Sequence, residues 1–561
     1  MVIRAVQVIT EVGALDRPLD YLVPEEWPDV TVGERVRAPL QSRSVRGWVV
    51  GPTSPQPSLR PLRTRLDVAL SPEVVALAQW AAQRWVAPVA RFLQAASPGR
   101  LVRSLPEAPA AFVPPSLGDV AWNAPPGIVQ VGPTDDVLGI VAQAIGHGAT
   151  AGGSVVVVVP GEGWAGRLRT RLERRGVAVA ADDDVERVRA GWPVVVGTRS
   201  AVWASVPRLA AVVVIDGEDE ALRSSAWPRW DAVTVARERA RRAGVPAWIT
   251  TVVPSPVLRA GVTSTRATPG SWPAVRIVDR RSGDPHDGWL AAETVSAAHR
   301  ALAGDEDVAV AVLLQRLGAG RLLACGRCGE LYRCGVCGGA ERDSGDLVAC
   351  ADGHEPRPPY CRACGSTQVR RRRVGVQGLA SAVAAQLSQP VSVVTAGTSE
   401  PFERVVVGTE ALWGRVRRAG LVVVADFDQY LLAPRAAARH EALRAVARAG
   451  RVVGGRTEGR GLVVIQTRRG EDAVVEALRR GDLTTVLDEE DATARELGLA
   501  PYGATATVSG PGAEDVVDAV TAPARAWSGE GRWTVWAPDE VSLRAVLASA
   551  PHPAGLRLDV D

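Results

Sequence analysis

All seven cysteines of this chain fall between Cys325 and Cys364. Disulfide frameworks belong to short secreted chains. At 561 residues this chain is long enough for several domains, and clustered cysteines in such a chain point to metal. The pairs are Cys325-x-x-Cys328, Cys334-x-x-Cys337 and Cys361-x-x-Cys364, with Cys350-x-x-x-His354 between the second and third. A Cys-x-x-Cys turn sets two thiolates on one side of a tight loop, about 2.3 Å from a shared zinc ion. Glycine follows Cys325, Cys328, Cys334, Cys337 and Cys364, supplying the positive φ such turns demand. A redox Cys-x-x-Cys needs one pair at a helix start, not three in a glycine-rich stretch. Cys325, Cys328, Cys334, Cys337, Cys350, His354, Cys361 and Cys364 therefore predict two closed zinc sites, structural because no coordination position stays open. The spacing leaves open which pairs share an ion.

The cysteine window interrupts a recognisable pattern. Residues 1–100 open with strand-like runs at Ala5–Ile9, Val32–Pro39 and Val45–Val50, then a helical stretch from Pro72 to Ala96. This predicts a β-rich N-terminal domain. Residues 101–128 hold six prolines and read as a linker. From 129 to 265, apolar β-branched runs at Val155–Val159, Val194–Val196, Val212–Ile215 and Ala247–Thr251 alternate with helical segments at Trp164–Arg175 and Asp231–Ala243. Such runs suit parallel strands buried on both faces. The same logic repeats at Val308–Leu314, Val391–Thr395, Val405–Val407, Leu421–Ala425 and Leu462–Gln466. That predicts a second lobe, 266–322 and 371–485, with residues 323–370 inserted as the two-zinc module. Residues 486–561 read as a C-terminal α+β domain. The fold class expected is multi-domain α/β.

The formal net charge is only +3, so any nucleic-acid binding must come from local patches. No lysine occurs anywhere, so every cationic side chain except histidine is arginine. No apolar run approaches the roughly 20 residues of a membrane helix. Residues 1–6 alternate like a strand rather than a signal peptide, and a cytoplasmic location without membrane partners is expected.

Several segments together resemble the PriA family of replication-restart proteins. Val195-Val196-Gly197-Thr198-Arg199-Ser200-Ala201 precedes the apolar run Leu209–Ile215 and Asp216-Gly217-Glu218-Asp219-Glu220, in the order of that family's Gly-Thr-Arg-Ser-Ala and Asp-Glu-Glu-His segments. Val407-Gly408-Thr409-Glu410, Asp426 to Arg435 and Arg448-Ala449-Gly450-Arg451 follow the further order, and the segment at 426–435 is similar to the branch found in high-GC bacteria. The resemblance implies two RecA-like helicase lobes and an N-terminal module that grips a 3′ end at a fork. It assigns Asp20 to the terminal 3′-OH, Arg63 to a phosphate, and Arg199 and Ser200 to the DNA side of the first lobe. Leu19 stands where the family has an aromatic, and Gln41 where it has a pocket glycine. The run Arg370 to Arg373 is a further candidate phosphate contact.

The departures fall where ATP chemistry would be. The region matching a P-loop, Val131-Gly132-Pro133-Thr134-Asp135-Asp136, has no lysine and carries two carboxylates. Gly217 replaces a base-like glutamate, and Asp216–Glu220 reads as a solvated acidic turn. The expectation is a degenerate helicase-like protein with no catalytic residues and no enzymatic activity, serving replication restart on branched, forked and single-stranded DNA. The partners implied are primosome proteins, the replicative helicase and single-stranded DNA-binding protein. An active ATP-dependent 3′–5′ helicase and a zinc-stabilised interaction scaffold are the alternatives.

Overall fold

The computed structural model spans Met1–Asp561 and describes every residue except 1–3, 13–16, 28–29, 68–69, 98, 100, 103, 108, 110–116, 118–119, 282–287, 305, 316–322, 337–339, 351–353, 372–374, 396, 399–400, 434–436, 460, 530–531, 553–555 and 561. The chain forms two compact units. The first combines Met1–Val129, Asp136–Thr265 and Asp491–Asp561, and the second Gln130–Asp135 and Arg266–Glu490.

The first unit opens with a five-stranded antiparallel sheet ordered Leu19–Leu22, Ala5–Thr10, Arg43–Pro52, Arg35–Leu40, Thr64–Arg65. Val6, Val8, Tyr21, Val36, Ala38 and Val49 alternate onto one buried face. The expected helix from Pro72 to Ala96 is two helices, Pro72–Arg84 and Val89–Ala96. The break has a local cause: Pro88 disfavours the α conformation at Ala87, and Val86 turns to a left-handed φ of 46°.

Next comes a seven-stranded sheet ordered Val262–Thr265, Gly127–Gln130, Ala247–Thr251, Leu209–Val214, Ser154–Val158, Val194–Gly197, Val179–Ala181. From Ala247–Thr251 to Val179–Ala181 neighbouring strands run parallel. Their β-branched side chains are buried on both faces, as continuous apolar runs require. Helix Ala232–Ala243 starts where the Asp231 side chain accepts a bond from the Thr234 N–H, and stops at Gly244 with φ 65°.

The first unit ends in a strand–helix–strand–strand–helix–strand domain. Its antiparallel sheet is ordered Arg525–Gly529, Arg532–Ala537, Ala504–Ser509, Arg557–Val560. That order is the ferredoxin-like arrangement. Helices Ala513–Asp518 and Glu540–Ser549 bury Val516, Leu543 and Leu547 in one core with Val508, Val535 and Leu558.

The second unit carries a six-stranded parallel sheet ordered Ala274–Asp279, Leu462–Thr467, Leu421–Val424, Val310–Leu313, Val405–Gly408, Val391–Val394. The cysteine insertion leaves and returns through the antiparallel pair Leu323–Cys325 and Val369–Arg371. A second ribbon, Glu341–Ser344 with Leu347–Cys350, lies inside it. Mixed α/β architecture with two parallel sheets agrees with the sequence reading. No helix among the described residues is long and apolar enough to cross a membrane.

One buried ion pair ties several segments of the first unit together. Arg239 is 0% exposed and donates to the carboxylate of Glu73 and to the carbonyls of Val202 and Ala204, the last two at 2.7 Å. Removing one partner of a buried pair costs about 3–5 kcal/mol, and the partial exposure of Glu73 lowers that to about 2–3 kcal/mol. Arg239→Met should therefore lower the guanidinium unfolding midpoint of the first unit, read by tryptophan fluorescence. An unchanged midpoint would show that the pair contributes nothing net.

Candidate metal centres and nucleic-acid interface

The insertion brings its cysteines together across the chain rather than in sequence order. The sulfurs of Cys325, Cys328, Cys361 and Cys364 all lie within 4.8 Å of one another. Cys325 Sγ is 3.6 Å from Cys364 Sγ, and Cys328 Sγ is 3.6 Å from Cys361 Sγ. Four sulfurs at 2.3 Å from a tetrahedral ion would stand about 3.8 Å apart, so the donor set fits zinc. Cys334, Cys350 and His354 form the second group, with His354 Nδ1 3.4 Å from Cys350 Sγ. Cys337 lies outside the described residues. The outer pairs thus enclose the inner group, an arrangement that spacing alone left open.

The local backbone explains the preorganisation. Gly329 N–H donates to the Cys325 carbonyl at 3.0 Å, and Gly365 N–H to the Cys361 carbonyl at 2.8 Å. Both glycines have positive φ, 75° and 72°, as the tight turn requires. The N–H two residues beyond the first cysteine points at its sulfur in two turns: Arg327 to Cys325 at 3.3 Å and Val336 to Cys334 at 3.4 Å. Burial pushes the Cys328 thiol up to about 12. At Cys325 burial acts the same way, but the N–H groups of Cys328 and Arg327 and the Cys364 thiol outweigh it and bring it down to about 7. Thiols this close compete for protons. A divalent cation removes the competition by taking them all as thiolates. Around them Arg357 pairs with the buried Glu341 carboxylate and lies over the rings of Tyr332 and Tyr360, at 5.5 and 5.0 Å from their centroids.

The candidate DNA residues fall in two places in the first unit. Asp20 is exposed on edge strand Leu19–Leu22, opposite Gln7. Beside that strand runs 60–63: Leu22 N–H donates to the Arg60 carbonyl and Leu62 N–H to the Leu22 carbonyl. The exposed Arg63 therefore lies on the segment next to the Asp20 strand. Gln41 holds a left-handed φ of 52°, the conformation a glycine would take there, and its carbonyl accepts from Arg60 at 2.9 Å. Arg60 did not emerge from the sequence. Its signal, two exposed arginines flanking Pro61-Leu62, was weaker than a motif.

Elsewhere, Arg199 and Ser200 begin the turn after strand Val194–Gly197. Arg199 donates to the Ala221 carbonyl at 3.3 Å, and the Ser200 hydroxyl donates to Asp182 at 2.7 Å. A Cβ at Gly197 would stand 2.0 Å from the Asp182 side chain, so this turn has no room for another residue. Of Arg370 to Arg373, the last two lie outside the described residues.

The acidic turn at 216–220 is not solvated as expected. Asp216 is 3% exposed, and its N–H donates to the Thr250 hydroxyl. The Glu218 carboxylate accepts the Val252 and Val253 N–H groups at 2.9 and 3.3 Å. Backbone donors at the neighbouring strand end draw the carboxylate inward. The segment 131–136 also uses its carboxylates internally. Asp135 accepts from Gly132 N–H at 2.7 Å, and Asp136 accepts from Leu138 N–H and pairs with Arg171.

Residues 7–98, the five-stranded sheet and the helix pair after it, match the 3′ DNA-binding domain (3′BD) of PriA. The probable replication restart protein PriA of Mycobacterium leprae (strain TN) is 28% identical over 88% of this chain and 86% of its own length. That of Mycobacterium tuberculosis (strain ATCC 25618 / H37Rv) is 27% identical over 89% and 85%. The replication restart protein PriA of Treponema pallidum (strain Nichols) is 28% identical over 55% and 50%. A solved structure of RecG bound to a three-way DNA junction aligns with TM-score 0.36 and 12% identity, covering 65% of this chain and 44% of that one.

The likeness to the PriA replication-restart proteins, spanning most of the chain, overturns the expectation of a protein that is no enzyme. The physical reason is that the missing P-loop lysine is a single phosphate contact. Arginine and helix N-termini supply the same positive field, so the lettering of one loop does not decide the chemistry. Over most of its length the chain is similar to PriA replication-restart proteins, and its residues 7–98 match the PriA 3′ DNA-binding domain.

Proposed function

We propose that this protein recognises branched or forked DNA at replication restart, taking the free 3′ end of a nascent strand in its N-terminal domain. The observation that carries this is the match of residues 7–98 to a 3′ DNA-binding domain, with exposed Asp20 on an edge strand beside the 60–63 segment. In this reading Asp20 accepts the bond of the terminal 3′-OH, and Arg63 contacts a phosphate. Arg199 and Ser200 face DNA further along. The domain division is 1–100, linker 101–128, lobes 129–265 and 266–485, the zinc insertion 323–370, and 486–561.

Zinc is the metal we assign to both thiol-rich groups, with Cys337 completing Cys334, Cys350 and His354. When bound, zinc supplies structural cross-linking and no reaction step. The protein works in the cytoplasm with primosome proteins, the replicative helicase it helps reload, and single-stranded DNA-binding protein. A cleft of ≈ 1810 Å³ in the first unit, lined by Arg91, Arg544, Arg557, Trp227, three glutamines and apolar side chains, suits an acidic partner segment.

Forks differing only in a 3′-OH or a 3′-phosphate on the leading strand should differ in affinity by roughly tenfold, since a bond to a charged group is worth about 1.5–3 kcal/mol. Fluorescence anisotropy measures this, and Asp20→Ala should erase the difference while leaving the 3′-phosphate fork unchanged. Equal binding of both forks by the unaltered protein would refute the 3′-end reading. Metal analysis of the purified chain should find two zinc ions, and Cys361→Ser should retain one. Recovery of both ions in that variant would refute the ligand grouping.

A further inference from the structure

The hairpin turn near the Asp20 strand is strained. Register pairs Leu40 with Arg43, so strands Arg35–Leu40 and Arg43–Pro52 are joined by the two-residue loop Gln41-Ser42. Loops this short favour glycine, asparagine or aspartate wherever φ is positive. Gln41 takes such a position, at φ 52°. Backbone strain of this kind persists only where the surroundings impose it, and it gathers at ligand sites.

The surroundings here are specific. Arg60 Nη1 donates to the Gln41 carbonyl at 2.9 Å and clasps the turn. Arg60 is itself held, because its carbonyl accepts the Leu22 N–H at 3.0 Å. Leu62 N–H donates to the Leu22 carbonyl, and Arg63 N–H to the Arg37 carbonyl at 2.9 Å. Segment 60–63 therefore fills the gap between strands Leu19–Leu22 and Arg35–Leu40. The buried Tyr21 hydroxyl spans the same gap, donating to the Pro39 carbonyl at 3.0 Å. Two strand spacings, roughly 10 Å, thus separate the Asp20 strand from the strand that ends in the turn. One nucleotide fits that interval. Gln41 and Asp20 are both exposed, and among the described residues neither side chain has a hydrogen-bond partner. Glutamine at this position strains the backbone and returns no side-chain hydrogen bond to the described fold.

We propose that Gln41 reads the base of the 3′-terminal nucleotide and prefers adenine. This rests on the 3′-end reading above, in which Asp20 takes the terminal hydroxyl. A carboxamide presents an acceptor and two donors side by side. Adenine carries the complementary acceptor N7 and donor N6 on one edge, and glutamine pairs with both at once. A clasped turn holds that amide on fixed backbone, so less freedom is lost on binding. Asp20 then selects a free hydroxyl, and Gln41 the base on the same sugar.

The test uses the full chain and eight oligonucleotides that differ only at the last position: each of the four bases, ending in a 3′-OH or a 3′-phosphate. Fluorescence anisotropy should show the adenine 3′-OH end bound about tenfold more tightly than the other three 3′-OH ends. Gln41→Gly should bring the adenine end down to the level of the others and raise the unfolding midpoint, because glycine adopts the left-handed turn without strain. Gln41→Ala should also lose the ranking but without that gain in midpoint, which separates the amide from the strain. Gln41→Asn should keep part of the ranking, since it retains the amide. Equal binding of the four 3′-OH ends, with each still preferred over its 3′-phosphate, overturns this inference alone. A ranking that survives Gln41→Gly in a folded protein also overturns it. Equal binding of 3′-OH and 3′-phosphate ends refutes the 3′-end reading and this inference with it.

Discussion

The cysteine insertion depends on one interaction, the convergence of its first and last Cys-x-x-Cys turns. Cys325 and Cys328 meet Cys361 and Cys364, so the intervening chain closes into a loop whose ends are pinned together. Inside that loop Cys334, Cys350 and His354 form a second centre. A segment this short has little apolar core. Among its described residues Leu323, Ala324, Leu331, Tyr332 and Val348 are the buried apolar side chains beside the cysteines. Metal binding in such a segment is folding free energy, and the Glu341–Arg357 pair with its two tyrosines is a supporting contact rather than a substitute. The base of the loop is the ribbon Leu323–Cys325 with Val369–Arg371, so the centre orders the point where the insertion leaves the second unit.

Much of this was legible in sequence because the governing rule is local. Cys-x-x-Cys-Gly specifies a turn by itself, and an uninterrupted run such as Val155–Val158 specifies a buried parallel strand. What was not legible depends on contacts distant in sequence. Pairing the outer turns requires residues more than thirty apart to meet, which spacing cannot rank. Strands Gly127–Gln130 and Val179–Ala181 are short and exist because neighbouring strands supply their partners. The Pro72–Ala96 stretch kept its helical period, yet one left-handed residue before Ala87-Pro88 divided it. The acidic turn misled for the same reason: Glu218 Oε1 accepts the N–H groups of Val252 and Val253, far along the chain. Asp20, Arg63, Arg199 and Ser200 came from resemblance alone, and the structure adds their surroundings, including Arg60 and the left-handed Gln41.

In the proposed function the separate parts divide the labour of reading a fork. The N-terminal sheet offers a carboxylate on an edge strand, suited to a single terminal hydroxyl. The seven-stranded sheet carries turns whose carboxylates, Asp182 and Glu218, are hydrogen-bonded within the protein. End recognition and duplex contact are physically different problems, and in the proposed function they fall on different folds of this chain.

The most direct test of the central claim is the structure of this protein bound to a fork carrying a leading-strand 3′-OH, determined by cryo-electron microscopy. The account predicts the terminal nucleotide against strand Leu19–Leu22, with its 3′-OH within hydrogen-bond distance of the Asp20 carboxylate. A 3′ end located away from the N-terminal sheet, with Asp20 facing solvent, would contradict it.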